Sequence, residues 1–149
     1  MPQLSLHSPV GDLTLSEEDG VLVAVDWGWG RDQADTALLR AARQQMHAFF
    51  DDDLAAFDLP LAPAATAFQD RVRAALLAIP RGQTRSYGDL ARRLDSSARA
   101  VGLACARNPL PILVPCHRVL AGDGALRGYA GEGGVETKRD LLRLEGAIP

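Results

Sequence analysis

The sequence predicts an α+β protein, in which a small antiparallel sheet with one helix precedes a mostly helical second part. Three observations carry this prediction. Apolar and polar residues alternate between residues 4 and 27, apolar residues recur at helical spacing in several later segments, and a stretch rich in Asp, Ala and Pro separates the two patterns. At 149 residues, of which 47% are apolar, the chain is long enough to bury a sizeable core.

The alternating segment predicts three short strands, joined by turns at residues 9–11 and 18–20. A helix is expected from Thr36 to Phe50, because apolar residues recur there every three or four positions, and it should lie on the sheet. Residues 51–66 have no clear period and predict a linker. The expected domains are therefore residues 1–66, with the linker from about residue 51, and residues 67–149.

Helical spacing and prolines organise the second part. Residues 67–79 predict an amphipathic helix ended by Pro80, and residues 135–146 predict a last helix after a glycine-rich loop. Between them, each proline of residues 108–115 biases the residue before it away from helix. We expect this segment to run extended and to deliver Cys116 at its end.

Two short helices joined by a tight polar turn are also expected. Ser86, with Asp89 three residues later, predicts the start of a helix over residues 87–94. The second helix covers residues 98–107, and three residues are candidates for its cap: Asp95, Ser96 and Ser97. Such a pair is typical of a helix-turn-helix, although helical hairpins without any DNA function have the same pattern.

The net charge of −3 hides a contrast between the two parts of the chain. Residues 1–67 hold three arginines and eleven acidic residues, a net charge of −8, whereas residues 68–149 hold thirteen basic and eight acidic residues, a net charge of +5. An anionic partner is therefore expected to bind the second part. Surface arginines that serve only solubility would give the same composition.

Composition also excludes several classes of protein. No run approaches the ~20 apolar residues of a membrane span, and the N-terminal residues lack the basic end and apolar stretch of a signal peptide. We expect an intracellular protein with no membrane partner, cytoplasmic or, in a eukaryote, nuclear. Only two cysteines occur, Cys105 and Cys116, and their spacing is not that of a disulfide framework or a zinc site. Both are expected to be reduced, and no metal site is predicted.

Cys116 lies between Pro115 and His117 in a short apolar segment. A buried free cysteine is usually a small hydrophobic residue, and this is our interpretation of Cys105. For Cys116, the preceding proline, the neighbouring histidine and the helix-turn-helix just upstream favour a nucleophile. Adjacent side chains of an extended segment rarely hydrogen-bond directly, so a water is expected between thiol and imidazole. A papain-like protease also pairs Cys with His, but its two residues are far apart in sequence.

Several motifs of the second part together resemble one family. They are Thr66-Ala-Phe-Gln69, Ile79-Pro-Arg-Gly-Gln-Thr84, Ser86-Tyr-Gly-Asp-Leu-Ala91, Ala98-Arg-Ala-Val-Gly102, Asn108-Pro109, Val114-Pro-Cys-His-Arg-Val119, Gly128-Tyr129 and Leu141-Leu142-x-x-Glu145-Gly146. Over residues 66–146 the sequence is similar to the O⁶-alkylguanine-DNA alkyltransferases, and the Pro-Cys-His-Arg-Val element is the most specific part of the match. The resemblance implies a winged helix-turn-helix-like alkyltransferase domain. Over residues 1–65 only the layout matches, which implies a ribonuclease-H-like topology.

The resemblance implies DNA repair by one stoichiometric transfer of a methyl or other alkyl group from O⁶ of guanine to Cys116, with O⁴-alkylthymine as a second candidate substrate. The thioether formed is stable, so each molecule would act once, and no cofactor is required. His117 would take the thiol proton through water, and Glu145 would orient the imidazole. Tyr87 would press the phosphate of the target nucleotide and would donate to guanine N3, which stabilises the leaving anion. Asn108 would brace the turn before the Cys116 segment.

The implied partner is double-stranded DNA containing O⁶-alkylguanine, bound from its minor groove by a monomer. A buried thiol cannot reach O⁶ inside a duplex, so the base must leave the stack. Arg99 would enter the duplex in its place, while small residues allow the helix to approach closely: Ala98, Ala100 and Gly102. The guanine pocket would be lined by Pro111, the Val119 carbonyl, Tyr129 and the Ala130 backbone.

Two features depart from the family pattern. The loop from Gly128 to Lys138 is about two residues longer than expected, and Cys105 stands where other members carry other residues. The zinc ligands of some members have no counterpart, since the first half has no cysteine. Two other functions fit parts of the sequence: a non-catalytic protein that binds alkylated guanine and signals to other repair proteins, and a helix-turn-helix regulator with a sensor domain. Cys116 argues against the first, and the Pro-Cys-His-Arg-Val element against the second.

Overall fold

Residues 1–126, 129 and 133–149 are described by the structure, which is a computed structural model of the chain. The chain divides into two units, Met1–Ala62 and Pro63–Pro149. Within the described residues, no helix is long and apolar enough to cross a membrane.

The first unit contains the predicted antiparallel sheet. Its strands follow one another in the order β1-β2-β3, and their bounds are Gln3–Leu6, Leu13–Glu18 and Val21–Trp27. Alternation places Leu4 opposite Leu15 and Leu6 opposite Leu13, so that these buried leucines share one face. The helix α1, Ala37–Phe50, packs on β1 and β2 as expected.

The end of the predicted linker belongs to the first unit. Leu22 in β3 donates its backbone N–H to the carbonyl of Pro60 at 2.9 Å and accepts from Ala62 at 2.8 Å. These bonds satisfy backbone groups that an edge strand would otherwise leave to water. The chain therefore leaves the first unit at Ala62.

The second unit contains four helices among its described residues, and each begins close to the predicted position. Their bounds are α2 Ala67–Leu77, α3 Tyr87–Arg93, α4 Ala98–Ala106 and α5 Val135–Leu144. The side chains of Thr66, Ser86 and Ser97 accept hydrogen bonds at the starts of α2, α3 and α4. The predicted capping box of Ser86 and Asp89 is confirmed, and Ser97 is the one of the three candidate residues that caps α4.

The prediction of an extended segment over residues 108–115 is wrong. Val114 donates its backbone N–H to the carbonyl of Leu110 at 2.9 Å, and Ile112 has a φ of +74°. Cys116–Arg118 then form a short 3-10 turn rather than the end of a strand. A proline restricts its own φ and the residue before it but not the residue after it, which leaves Ile112 and its successor able to turn.

A short parallel pair of strands was not predicted. The strand β4, Arg85–Ser86, pairs with β5, Val119–Leu120. Strands of two residues carry no periodicity, so the sequence contains no signal for them. The pairing places Tyr87, the first residue of α3, beside the chain that follows the Cys116–Arg118 turn.

Candidate active site

Cys116 is held in a tightly turned and buried segment. Its side chain is 3% exposed, and its backbone N–H donates to the carbonyl of Val114 at 2.8 Å. Pro115 has φ −81° and ψ 63°, the conformation of an inverse γ-turn. The proline thus fixes the direction in which the chain presents the thiol.

Asn108 joins the end of α4 to this segment. Its Nδ2 donates to the carbonyl of Val114 at 3.0 Å and lies 3.4 Å from the Sγ of Cys116, while its Oδ1 accepts from the N–H of Leu110 at 3.0 Å. The side-chain amide of Asn108 therefore binds Leu110 and Val114, at the two ends of the turn, and also contacts the thiol.

The environment of Cys116 keeps its thiol protonated. Burial raises the pKa of Cys116, and the hydrogen bond from Asn108 and the positive charge of Lys138 act in the opposite direction. Because the thiolate is the nucleophilic form, reaction requires a group that takes the proton.

His117 is placed to be that group. It is fully buried, and its Nε2 lies 2.9 Å from Oε2 of Glu145. Glu145 is ionised and can only accept, so Nε2 carries the imidazole proton. The Nδ1 atom is buried and has no hydrogen-bond partner within residues 1–126, 129 and 133–149. Burial lowers the pKa of His117, which leaves Nδ1 as an available base.

Glu145 is the C-cap residue of α5, and its carboxylate binds the side chains of His117 and Arg118. Arg118 donates from Nε to both oxygens at 3.0 and 3.1 Å, and from Nη2 to Oε2 at 2.6 Å. Burial alone would raise the pKa of Glu145, but the hydrogen bonds from His117 and Arg118 outweigh it and lower the pKa to about 2. The carboxylate stays charged at any physiological pH.

Tyr87 faces the same region from the start of α3. Lys138 donates from Nζ to the Tyr87 hydroxyl at 3.4 Å, and Nζ lies 5.5 Å from the centroid of the ring. Burial is the main reason that the pKa of Tyr87 is raised to about 12, and ionisation of Cys105 or Cys116 acts in the same direction. The phenol therefore keeps its proton and can act as a donor.

Lys138 is completely buried. Burial lowers its pKa, whereas negative charge on Cys116 or Cys105, when either is ionised, would raise it. Cys105 itself lies on the buried side of α4, where burial raises its pKa to about 12. Its thiol remains protonated, as expected of a packing residue.

Four of the five residues predicted to contact DNA lie on α4, and the fifth, Tyr87, is the first residue of α3. Ala98 and Arg99 are exposed at the start of the helix, and Ala100 and Gly102 are half-buried. A Cβ added at Gly102 would lie 4.0 Å from the Tyr87 ring, so this position faces the start of α3. The side chain of Arg99 makes no hydrogen bond or ion pair with any residue that the structure describes.

The predicted pocket residues are only partly described. Pro111 and Val119 are buried, and Tyr129 is half-buried with its hydroxyl enclosed. Burial raises the pKa of Tyr129, and the nearby charges of Cys116 and Glu145 raise it further. Ala130 lies outside the described residues. In the described part of the chain, no group of three or more His, Cys, Asp or Glu side chains is arranged to hold a metal ion.

A family model for the DNA-binding domain of 6-O-methylguanine DNA methyltransferase matches residues 67–147, more than half of the chain. The chain belongs to this methyltransferase family. A methylated-DNA–protein-cysteine methyltransferase of Methanosarcina acetivorans is 40% identical over 151 residues, covering 95% of this chain and 96% of the relative. One from Mycobacterium tuberculosis is 41% identical over 153 residues, covering 95% of this chain and 90% of the relative.

Solved structures of the methyltransferase family have the same fold. The crystal structure of Mycobacterium tuberculosis OGT in complex with DNA matches with a TM-score of 0.87 and 41% sequence identity, covering 99% of this chain and 94% of the other. A crystal structure of Mycobacterium tuberculosis O6-methylguanine methyltransferase matches with a TM-score of 0.86 and 40% identity, with the same coverage. The α+β prediction and the resemblance to the family are confirmed.

Two residues of the site in this methyltransferase were not predicted from the sequence. Lys138 and Arg118 are buried beside Tyr87 and Glu145, although long cationic side chains are usually exposed. A signal for Lys138 was present. Lys138, Leu141, Leu142 and Glu145 occupy positions i, i+3, i+4 and i+7, which form one face of a helix.

Proposed function

We propose that the protein repairs DNA by moving a methyl or other alkyl group from O⁶ of guanine onto its own Cys116. One observation carries the proposal. In a chain whose relatives are methylated-DNA–protein-cysteine methyltransferases, a buried cysteine is followed by a histidine with one free ring nitrogen and an ionised carboxylate on the other. O⁴-alkylthymine is a second candidate substrate.

The reaction is a single displacement at the alkyl carbon. The Sγ of Cys116 forms the new S–C bond as the C–O bond breaks, and guanine leaves as a delocalised anion. The thiol proton passes through a water to Nδ1 of His117. Because the thioether is stable, each molecule reacts once and needs no cofactor.

His117 and Glu145 act as base and orienting group. The hydrogen bond of 2.9 Å from Nε2 to the carboxylate fixes the ring with Nδ1 available for the proton. The imidazolium that forms lies against a carboxylate that does not itself take the proton, since its pKa is about 2. Asn108 holds the turn that presents the thiol.

Tyr87 and Lys138 act on the leaving base. The Tyr87 hydroxyl stays protonated and donates a hydrogen bond to N3 of guanine, where negative charge develops. The Lys138 ammonium at 3.4 Å from the Tyr87 hydroxyl places a positive charge near the same atoms. Both effects are stronger in a buried site than in water.

The helix-turn-helix of α3 and α4 binds double-stranded DNA from the minor groove and extrudes the damaged nucleotide. Arg99 is exposed at the start of α4, where it can occupy the space of the extruded base. Three small residues allow the helix close approach: Ala98, Ala100 and Gly102. The protein acts as a monomer inside the cell, where its substrate is found.

The extruded guanine enters a pocket beside Cys116. Pro111, the carbonyl of Val119, Tyr129 and the backbone of Ala130 line this pocket in our proposal. Pro111 and Val119 are buried, and the hydroxyl of Tyr129 is enclosed. Backbone contacts would distinguish guanine from other bases.

Intact-mass measurement after incubation with a duplex that contains O⁶-methylguanine tests the proposal. The chain has two cysteines, so Cys105→Ser is a matched control for Cys116→Ser. The native protein and Cys105→Ser should each gain one methyl group, about 14 Da, on the peptide of Cys116. Cys116→Ser should gain none and still bind the duplex. Methylation of Cys116→Ser would place the acceptor elsewhere, and an unmodified native protein that binds the lesion would favour the non-catalytic damage-binding function.

A further inference from the structure

Arg118 is the buried partner of the proposed orienting carboxylate. The residue is 6% exposed, and its side chain gives three hydrogen bonds to Glu145. Its remaining terminal nitrogen, Nη1, donates to the carbonyl of Ile79 at 2.7 Å. The guanidinium thus contacts the carboxylate through its rigid fork and is itself fixed to the end of the α2 segment.

The turn that follows Ile79 encloses the other side of Glu145. Arg81 donates from Nη2 to the carbonyl of Leu144 at 3.5 Å, and a Cβ added at Gly82 would lie 3.3 Å from the Glu145 carbonyl. Gly82 also has a φ of +86°, which favours glycine. The Ile79–Thr84 motif therefore packs against the C-terminal end of α5. The chemistry of transfer does not use this motif.

We propose that Arg118 is a positioning residue for alkyl transfer: anchored on Ile79, it holds the Glu145 carboxylate ionised and oriented so that His117 remains neutral until the thiol proton arrives. This inference rests on the proposed function and adds a residue to it. Arg118 acts through Glu145 and does not contact the reacting atoms in this scheme.

The physical basis is the balance of charge around His117. A bare carboxylate on Nε2 favours the imidazolium, and an imidazolium cannot accept the proton of Cys116. Arg118 neutralises that carboxylate. The groups that act on His117 are Glu145, which raises its pKa, and Arg118 and Lys138, which lower it together with burial. On transfer the proton moves from Sγ to Nδ1, and Arg118 keeps its own protons throughout.

The first test follows the ring nitrogens of His117 by ¹⁵N NMR as a function of pH, without DNA. Arg118→Gln removes the charge and keeps a hydrogen-bond donor, whereas Arg118→Lys keeps the charge and loses the fork. Arg118→Gln should raise the titration midpoint of His117 by about one pH unit or more, which is at least a tenfold change in the protonated fraction. Arg118→Lys should move it less.

Two internal references and one matched variant control this titration. His7 and His47 are exposed residues of the first unit, so their signals serve as references that no substitution in the second unit should alter. Arg143→Gln removes one positive charge from the exposed side of α5 and should leave His117 as in the native protein. A shift in Arg143→Gln as large as in Arg118→Gln would show an effect of net charge and overturn the proposal.

The second test is the pH dependence of the rate of methyl transfer. On the acid side of the profile, the pH at which the rate falls by half should be higher in Arg118→Gln. The increase should equal the shift that NMR measures for His117. In Arg118→Lys that pH should stay near its native value while the plateau falls at least tenfold, because lysine does not fix the carboxylate. A pH–rate profile identical to that of the native protein in both variants would overturn the proposal. If Arg118→Gln fails to fold, the profile of Arg118→Lys decides alone. Lack of transfer by the native protein would refute the proposed function, whereas the NMR result would stand independently.

Discussion

The ammonium group of Lys138 is buried and therefore shielded from water. Burial of a charge costs free energy unless other groups compensate it, and here the compensation comes from the Tyr87 hydroxyl and from the charge of Cys116 when ionised. Lys138 is also the only lysine in the sequence, beside fifteen arginines. A lysine can respond to burial with a lowered pKa, which an arginine cannot, so the two residues are not equivalent at this position.

Lys138→Met should slow methyl transfer near neutral pH by about tenfold, the effect of one unit in a pKa. The positive charge of Lys138 lowers the pKa of the Cys116 thiol, so its removal raises that pKa and decreases the thiolate fraction. The increase of the rate that accompanies ionisation of Cys116 should consequently move to higher pH. The free energy of unfolding should not fall, because methionine needs no desolvation of a charge. Urea denaturation and rate measurements from pH 6 to about 10 would check both effects, and a native rate profile would contradict the assignment.

At the scale of elements, the helix-turn-helix is held by local caps. Ser86 and Asp89 form a reciprocal capping box at the start of α3, and Ser97 caps α4 with a hydrogen bond to the N–H of Ala100 at 3.1 Å. Ser86 has a second function, because it also belongs to β4 and directly precedes Tyr87. The start of α3 therefore determines both helix stability and the position of the phenol.

Ser86→Ala should lower the free energy of unfolding by about 1 kcal/mol, since it leaves an N-terminal backbone N–H of α3 without its acceptor. It should also slow methyl transfer, because Tyr87 follows the lost cap. Ser97→Ala provides the comparison, with a similar loss of stability at α4 and no change next to Tyr87. Urea denaturation and transfer to a free O⁶-alkylguanine base separate these effects. Equal rates for the two variants on the free base would argue against a link between the cap and Tyr87.

The elements that sequence predicted well depend on local signals. Alternation gave the three strands, helical spacing gave α1, α2 and α5, and Ser86 with Asp89 marked the start of α3. The turn at Ile112 was missed because Ile112 follows a proline, and a proline does not restrict the conformation of the residue after it. The pairing of β4 with β5 was missed because it depends on residues more than 30 positions apart with no period of their own. Cys116 and His117 were found from their adjacency and from the family resemblance, whereas Arg118 required the tertiary contact with Glu145.

For the whole molecule, the boundary between units coincides with the change of charge. Residues 63–67 carry no charged side chain, so the unit Met1–Ala62 has a net charge of −8 and the unit Pro63–Pro149 a net charge of +5. A polyanion is attracted to the second unit and repelled by the first. The charge distribution thus favours binding through the unit that contains both the helix-turn-helix and Cys116.

Affinity for duplex DNA should fall steeply with salt and vary little with sequence. If three or four phosphates are contacted, raising the salt from about 50 to 200 mM should weaken binding by about 10- to 100-fold through the loss of counterion release. Contacts to phosphate and DNA shape position the protein without reading bases. Fluorescence anisotropy with two unrelated duplexes of equal length would measure both properties. A flat salt dependence, or a strong preference for one duplex, would contradict this picture and favour a sequence-specific regulator.

The 3% exposure of Cys116 also bears on how such a protein survives in the cell. A molecule that reacts once is wasted whenever its acceptor meets the wrong electrophile. Oxidants and small alkylating chemicals diffuse freely, but they encounter a thiol that is enclosed by side chains and kept protonated by its surroundings. In the proposed reaction, the enclosure of the thiol therefore also protects the nucleophile from other electrophiles until an alkylated base reaches it.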